Sequence, residues 1–447
     1  MGTSITERFT ELDREIGRLA IPALGALIAE PLYVLADTAV VGNLLGTDAL
    51  AGLAVAGQTL LTVHAIMIFL AYGTTAAVSR LLGAGEMKRA AHQAVQGLWL
   101  AAAAGVLLAL VMWWFADPIL SLLGETDDGN AEAVLVQARR YLLVSLWGIP
   151  ASLLVLSGVG YLRGLQDTKR PLIVAIATAV FNLVLELILI VGFDLAIGAS
   201  AFATVVAQWL GAAAYLLWIG RDVLGHGVRL IPDPREIARL VRVGGSLFIR
   251  TVALRGSFTV SVAAASRIST EALAAHEIAF QFFIFTALIL DAVAIAGQSM
   301  MGRFLGANDA AGARAAADRV VRWGVLVGVV ALVVFGVGAP FLPELFTNDA
   351  AVASLAVGAM IHLALMQPLG GLVFALDGVL IGAGDMTFLA WAMAIAAAVF
   401  IPLALLVPAL NLGLGWLWGS IWVLMVVRAA GLVWRYRTDQ WLALGVD

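Results

Sequence analysis

The sequence predicts an all-α polytopic membrane protein, with twelve transmembrane helices in two six-helix lobes related by a pseudo-two-fold axis along the membrane normal. Three observations predict it. The first is composition: of 447 residues, 62% are hydrophobic and only 13% charged, whereas an ordinary soluble domain is about half apolar and about a quarter charged. Too few polar side chains remain to coat a water-exposed surface, so lipid is the solvent for most of the chain. The second is a regular alternation of basic and acidic loops, and the third is an internal repeat.

A membrane span takes about 20 apolar residues, which leaves room for about a dozen. The apolar segments fall near 18–44, 49–80, 89–116, 131–162, 169–192, 195–220, 237–264, 271–303, 310–339, 351–381, 386–409 and 413–437. Residues 1–17, MGTSITERFTELDREIG, are charged and read as a cytoplasmic segment without a signal leader. Their start fits a myristoylation pattern, but one weak acyl anchor adds nothing to a polytopic chain. The N-lobe then takes 18–220, a cytoplasmic linker 221–236, the C-lobe 237–437 and a cytoplasmic tail 438–447.

Basic residues set the orientation. Arg8, Arg14 and Arg18 precede the first span, and Arg80, Lys88 and Arg89 follow the second. Further clusters follow the fourth (Arg163, Lys169, Arg170), the sixth (Arg221, Arg229, Arg235), the eighth (Arg303, Arg314) and the last (Arg435, Arg437). The opposite loops are acidic, GETDDGN at 124–130 and PELFTND at 343–349. Both termini are therefore expected in the cytoplasm. The preference for Arg over Lys looks bacterial, which places the chain in a bacterial inner membrane.

TDALAGLAVAGQ (47–58) aligns with TEALAAHEIAFQ (270–281) at an offset of 223, and SRLLGAGE (79–86) with GRFLGAND (302–309) at the same offset. GLQDT (164–168) meets GAGDM (382–386) at an offset of 218. Six spans per half return the chain to the same side, so the halves are parallel repeats, an arrangement suited to alternating access around a central cleft.

Composition also excludes classes. A net charge of −4 argues against a nucleic-acid partner, which calls for a basic face. With no cysteine there is no disulfide, thiol nucleophile or cysteine metal site, and the 5 histidines are scattered. The expected partners are the bilayer and a small amphipathic molecule; no cofactor and a monomeric state are expected.

An ionised carboxylate in hydrocarbon costs about 2.5–3.5 kcal/mol on insertion scales. Asp37, in AEPLYVLADTAVVGN (29–43), must therefore face protein or a water-filled cavity, or be protonated part of the time. Burial disfavours the charged form of a carboxyl, and a carboxyl that gains and loses a proton is what coupling to a proton gradient requires. At about 1.5 Å per residue, Asp37 lies in the outer part of the first span. Asn182 and Glu186, one turn apart on the fifth, and Thr204 on the sixth converge on the same layer. Tyr33 lies one turn before Asp37 and is a hydrogen-bond candidate; Glu30 lies two turns before it, a second titratable group or a cavity-lining residue. The aligned positions of the second half are Val260, Ile401, Leu405 and Ile421, so the fold does not require polar groups there. The bland alternative is a network that merely ties helices together. Pro22 and Pro31 lie in the first span, where a proline removes a backbone hydrogen bond and bends the helix. In the second half, an Arg250–Asp291 pair is expected as a structural tie or gate latch, with Arg255 beside it. Asp377, five residues before the GAGD loop, is expected near the cytoplasm and is a candidate secondary cation site.

These features resemble the multidrug and toxic compound extrusion (MATE) transporters, and within them the DinF branch. The resemblance runs from AIPALGALIAEPLYVLADTAVVGNLLG through YLRGLQDTKRP (161–171), FNLVLELILI (181–190) and LFIRTVAL followed by LDAVAIAGQ, to the last span. It implies export of drug-like compounds against a cation gradient, with Asp37, Asn182, Glu186 and Thr204 at the positions of the amino-lobe proton site. The family often has Asp where Glu186 stands, which changes the site's geometry. It also implies, in other branches, a cation-binding glutamate on the seventh span, where this chain has Arg250 and Arg255. The expected function is thus a proton-coupled antiporter, with H+ as coupling ion and Na+ as the alternative. Two rivals are weaker. A lipid-linked precursor flippase would show more helices and a basic cavity. A membrane-embedded prenyltransferase needs paired Asp-rich magnesium motifs, and TDDGN has no partner.

Overall fold

The computed structural model describes residues 5–123, 131–193 and 195–446, and they are almost wholly helical. In chain order the helices are α1 (Ile5–Leu44), α2 (Thr47–Met67), α3 (Phe69–Gly83), α4 (Met87–Trp114), α5 (Ala116–Leu123), α6 (Ala131–Ser145), α7 (Ile149–Gly164), α8 (Lys169–Leu187) and α9 (Gly198–Gly225). After them come α10 (Pro234–Ile268), α11 (Thr270–Gly306), α12 (Ala310–Gly338), α13 (Ala350–Gly382), α14 (Met386–Ala409) and α15 (Leu414–Arg437). Among the described residues, 11 segments are long and apolar enough to cross a membrane; α2 with α3 make one, and α6 with α7 another. The segment expected at 237–264 is α10, long enough to cross, but with Arg250 and Arg255 dividing its apolar run. The acidic GETDDGN loop lies outside the described residues. In the other acidic loop, Asp349 caps α13 by accepting from the backbone N–H groups of Ala351 and Val352.

The repeat is written into the backbone. Gly85 (φ 75°) and Asn308 (φ 58°) are both left-handed, and they differ by the 223 read from the sequence (308 − 85). Behind them Glu86 N–H donates to Leu81 O at 2.9 Å, and Asp309 N–H to Phe304 O at 2.9 Å. Gln166 (φ 61°) and Gly384 (φ 80°) differ by 218 (384 − 166), with Asp167 N–H on Leu162 O at 2.8 Å and Asp385 N–H on Leu380 O at 3.0 Å. All four are helix ends closed by the same six-residue hydrogen-bonded loop.

The chain divides into two compact units. The first comprises residues 1–24, 83–85 and 242–447, the second 25–82 and 86–241. In the second unit, Leu53, Leu70, Met112, Leu142, Leu153 and Ile197 are among the buried core residues. In the first, α12 and α13 approach through small residues, as helices in lipid do where van der Waals contact must replace a hydrophobic drive. A Cβ placed on Gly371 would run into the carbonyl of Gly324. Gly371→Ala is therefore expected to cost about 1–3 kcal/mol, read as a lower melting temperature in detergent; an unchanged midpoint would contradict this close approach.

Two segments near the chain ends are packed where the sequence suggests polar, unpartnered stretches. Residues 1–17 read as a polar segment ahead of the first span, yet α1 is continuous from Ile5. Leu12, Ile16, Leu19 and Ala23 form a buried stripe at helical spacing. Asp13 accepts from both Arg319 and Trp323, and Arg303 donates to Glu15 at 2.8 Å. Charge density disguised an amphipathic helix that packs within the first unit. Likewise the tail read at 438–447 folds back: Trp441 is buried and stacks on Tyr436, and Gly445 N–H donates to Leu305 O at 3.1 Å.

Candidate functional site

In the second unit, three helices each contribute two polar residues one turn apart: Tyr33 and Asp37 on α1, Asn182 and Glu186 on α8, Ser200 and Thr204 on α9. The i,i+4 spacing puts each pair on one helix face, and the six side chains meet. Tyr33 Oη lies 2.7 Å from Thr204 Oγ1. Asn182 Nδ2 donates to Thr204 Oγ1 at 3.0 Å and to Tyr33 Oη at 3.5 Å. Ser200 Oγ donates to Asp37 Oδ1 at 2.6 Å from the first turn of α9, where a helix macrodipole favours negative charge.

Glu186 is the anomaly. It is 0% exposed, and neither carboxyl oxygen has a hydrogen-bond partner among the described residues. Asp37, 4% exposed, is close enough for the two carboxyls to act on each other. Two residues after Glu186 the helix widens into a π turn, Ile188–Gly192, a distortion that recurs at functional sites. Asp37 faces a cavity of about 360 Å³ within this unit, whose wall includes Glu30, Tyr33, Gln58, His64 and Tyr141.

The structure thus brings together Tyr33, Asp37, Asn182, Glu186 and Thr204. Two further residues belong to the cluster and were missed. Ser200 is one turn before Thr204, so the i,i+4 rule applied to α9 would have found it. Tyr141 of α6 is buried beside Asp37, Glu186, Thr204 and Ser200. Its depth below the outer end of α6, about 15 Å at 1.5 Å per residue, matches the layer assigned to Thr204. Pro22 lies apart, in the first unit; α1 stays helical through both Pro22 and Pro31, and the units part at residues 24/25.

In the second half, a buried charge cluster gathers around Asp377. Arg250 Nη2 donates to Asp377 Oδ2 at 2.7 Å, and Arg428 Nη2 of α15 donates to the same oxygen at 2.7 Å. Asp377 is 5% exposed and Arg428 4%. Where the sequence offered Asp377 as a secondary cation site, two guanidinium groups already share this carboxylate. Asp291 is half-buried on α11, while Arg255 is exposed and makes no ion pair among the described residues. Arg428 was overlooked, although a lone arginine inside VLMVVRAAGLV (423–433) must find a partner in a bilayer.

Comparisons with known proteins agree with this architecture. The MatE family model matches residues 22–188 and 247–406. The chain is 29% identical to DNA damage-inducible protein F of Escherichia coli over 442 residues, 97% of this chain and 95% of that protein. It is 30% identical to Protein DETOXIFICATION 44, chloroplastic, of Arabidopsis thaliana over 450 residues, 97% of this chain and 84% of that one. Among solved structures, the bent form of the Vibrio cholerae MATE transporter VcmN superposes with a TM-score of 0.87 at 21% identity, covering 96% of this chain and 97% of that one. Such neighbours have the twelve-helix, two-lobe fold that the sequence predicts. With both halves matched by the family model, and relatives aligned over nearly its whole length, the chain belongs to the MatE family of multi-pass multidrug and toxic compound efflux transporters.

Proposed function

We propose that this chain is a proton-coupled antiporter of a bacterial inner membrane, exporting amphipathic compounds by alternating access, with both termini in the cytoplasm and a single chain as the working unit. The observation that carries the proposal is the pair of buried neighbouring carboxyls, Asp37 and Glu186, beside a cavity. Two carboxylates held together out of water repel each other, and a bound proton removes that repulsion. Protons entering from outside neutralise the pair, α1 repacks, and substrate leaves; inward opening releases the protons and admits new substrate. The element that switches is the α1–α8–α9 cluster, and the local event is a change of charge.

Sodium coupling through the second half draws no support from Asp377, whose charge Arg250 and Arg428 already balance. A flippase for a pyrophosphate-bearing lipid would need basic groups on the cavity wall, and among the described residues the wall carries no Lys or Arg.

The test is dye efflux in everted vesicles with the proton and sodium gradients collapsed separately. Efflux should stop when the proton gradient is lost and persist when the sodium gradient is lost; the opposite pattern overturns the proposal. Glu186→Gln, which keeps the shape but removes the titration, is expected to slow efflux about tenfold, roughly 1.4 kcal/mol on the barrier. Full activity in that variant would return Glu186 to a purely structural role.

A further inference from the structure

Two carboxyls line the same cavity from one helix, and the structure treats them differently. Asp37 is buried and hydrogen-bonded to Ser200. Glu30 is exposed, lines the cavity and makes no hydrogen bond or ion pair among the described residues. They are seven residues apart (37 − 30), which places them on one face of α1, about 10 Å apart along its axis. Tyr33 lies between them, with its hydroxyl turned to Thr204 and its ring on the cavity wall.

An unpaired carboxylate within an apolar span is costly to keep unless water or a ligand's charge meets it. Glu30 holds no helix in place, so its charge serves nothing structural. Among the described residues the wall has no Lys or Arg, and His64 is the one group there able to carry positive charge. A cation in this cavity finds the exposed Glu30 carboxylate, with the Tyr33 ring one turn along α1 to receive its apolar or cationic face. The Asp37 carboxyl, already engaged by Ser200, stays free of the substrate.

Building on the antiporter proposal for the same cavity, we infer that Glu30 is a specificity residue: it holds the positive charge of an amphipathic organic cation, while Asp37 is left to the coupling proton. The two tasks are divided between two carboxyls two turns apart.

The test compares equilibrium binding of tetraphenylphosphonium, a permanent organic cation, with that of triphenylphosphine oxide, an uncharged molecule of similar bulk. The purified full-length protein and its Glu30→Gln and Glu30→Asp variants are used. Wild type should prefer the cation. In Glu30→Gln the ratio of the two affinities should fall about tenfold, a 1.4 kcal/mol change, and Glu30→Asp should recover most of it. An unchanged ratio, equal loss of both ligands, or a wild type without preference overturns the assignment. Proton-driven transport of the same cation in vesicles separates the two proposals. Charge-selective binding that depends on Glu30, without proton-driven transport, would sink the antiporter proposal alone. Proton-driven transport with a ratio insensitive to Glu30 would sink the specificity role alone.

Discussion

Asp37→Asn is expected to abolish proton-driven efflux, by at least about a hundredfold or roughly 2.7 kcal/mol, while leaving the protein inserted and folded. Asparagine keeps the size of the side chain and can still accept from Ser200 Oγ, so the local hydrogen bond survives. What disappears is the ability to exchange a proton and, with it, the alternation of charge beside Glu186. The measurement is dye efflux in everted vesicles under an imposed proton gradient, with membrane yield and detergent melting temperature as controls for folding. Wild-type efflux in this variant would falsify the coupling role. A loss of efflux accompanied by a lower melting temperature would instead reassign Asp37 to the helix-tying network. The network itself, with Asn182 donating to both Thr204 and Tyr33, is arranged to hold the three helices whatever the charge on Asp37.

The largest effect on stability is expected at the opposite end of the chemistry. Asp377→Ala removes the carboxylate that Arg250 and Arg428 share on one oxygen, and leaves two guanidinium groups without it. Removing one partner of a buried ion pair costs about 3–5 kcal/mol, because the remaining charge stays out of water uncompensated. The melting temperature in detergent should fall steeply, and expression with it. Replacing all three residues together by apolar side chains of similar volume should recover most of the loss, since the cost lies in the unmatched charge and not in missing packing. If the single substitution leaves the midpoint within a degree of wild type, the shared pairing is not what holds α10, α13 and α15 in place.

Much of this was readable beforehand, and for a definite reason. Lipid imposes one requirement over runs of about 20 residues, so spans, their number and their order follow from hydropathy without knowledge of any contact. Depth follows too, because a helix climbs by a constant rise per residue; that is why Asp37, Asn182, Glu186 and Thr204 could be assigned to one layer. The repeat offsets of 223 and 218 recur as left-handed loop residues, since a loop of fixed geometry leaves a mark in composition. Depth alone does not say which way a helix is turned. Asp377 was placed toward the cytoplasm as a candidate cation ligand, yet rotation of α10 and α15 brings two arginines onto it. Nor does hydropathy distinguish a polar segment from an amphipathic helix with partners, which is what α1 is from Leu12 to Leu19.

The sequence by itself determined the solvent, the order of the helices, the layer of the polar residues and the duplication, because each depends on local composition and on constant helical geometry. Only the tertiary structure decided the rotation of each helix about its axis, and hence every partnership. Asp37 rests on Ser200, Glu186 has neither oxygen bonded among the described residues, Asp377 lies between two arginines, and Glu30 faces an open cavity. The physical reason is that a contact between distant parts of a chain depends on how whole helices pack, a choice made by the summed shape of many side chains and announced by no single one of them.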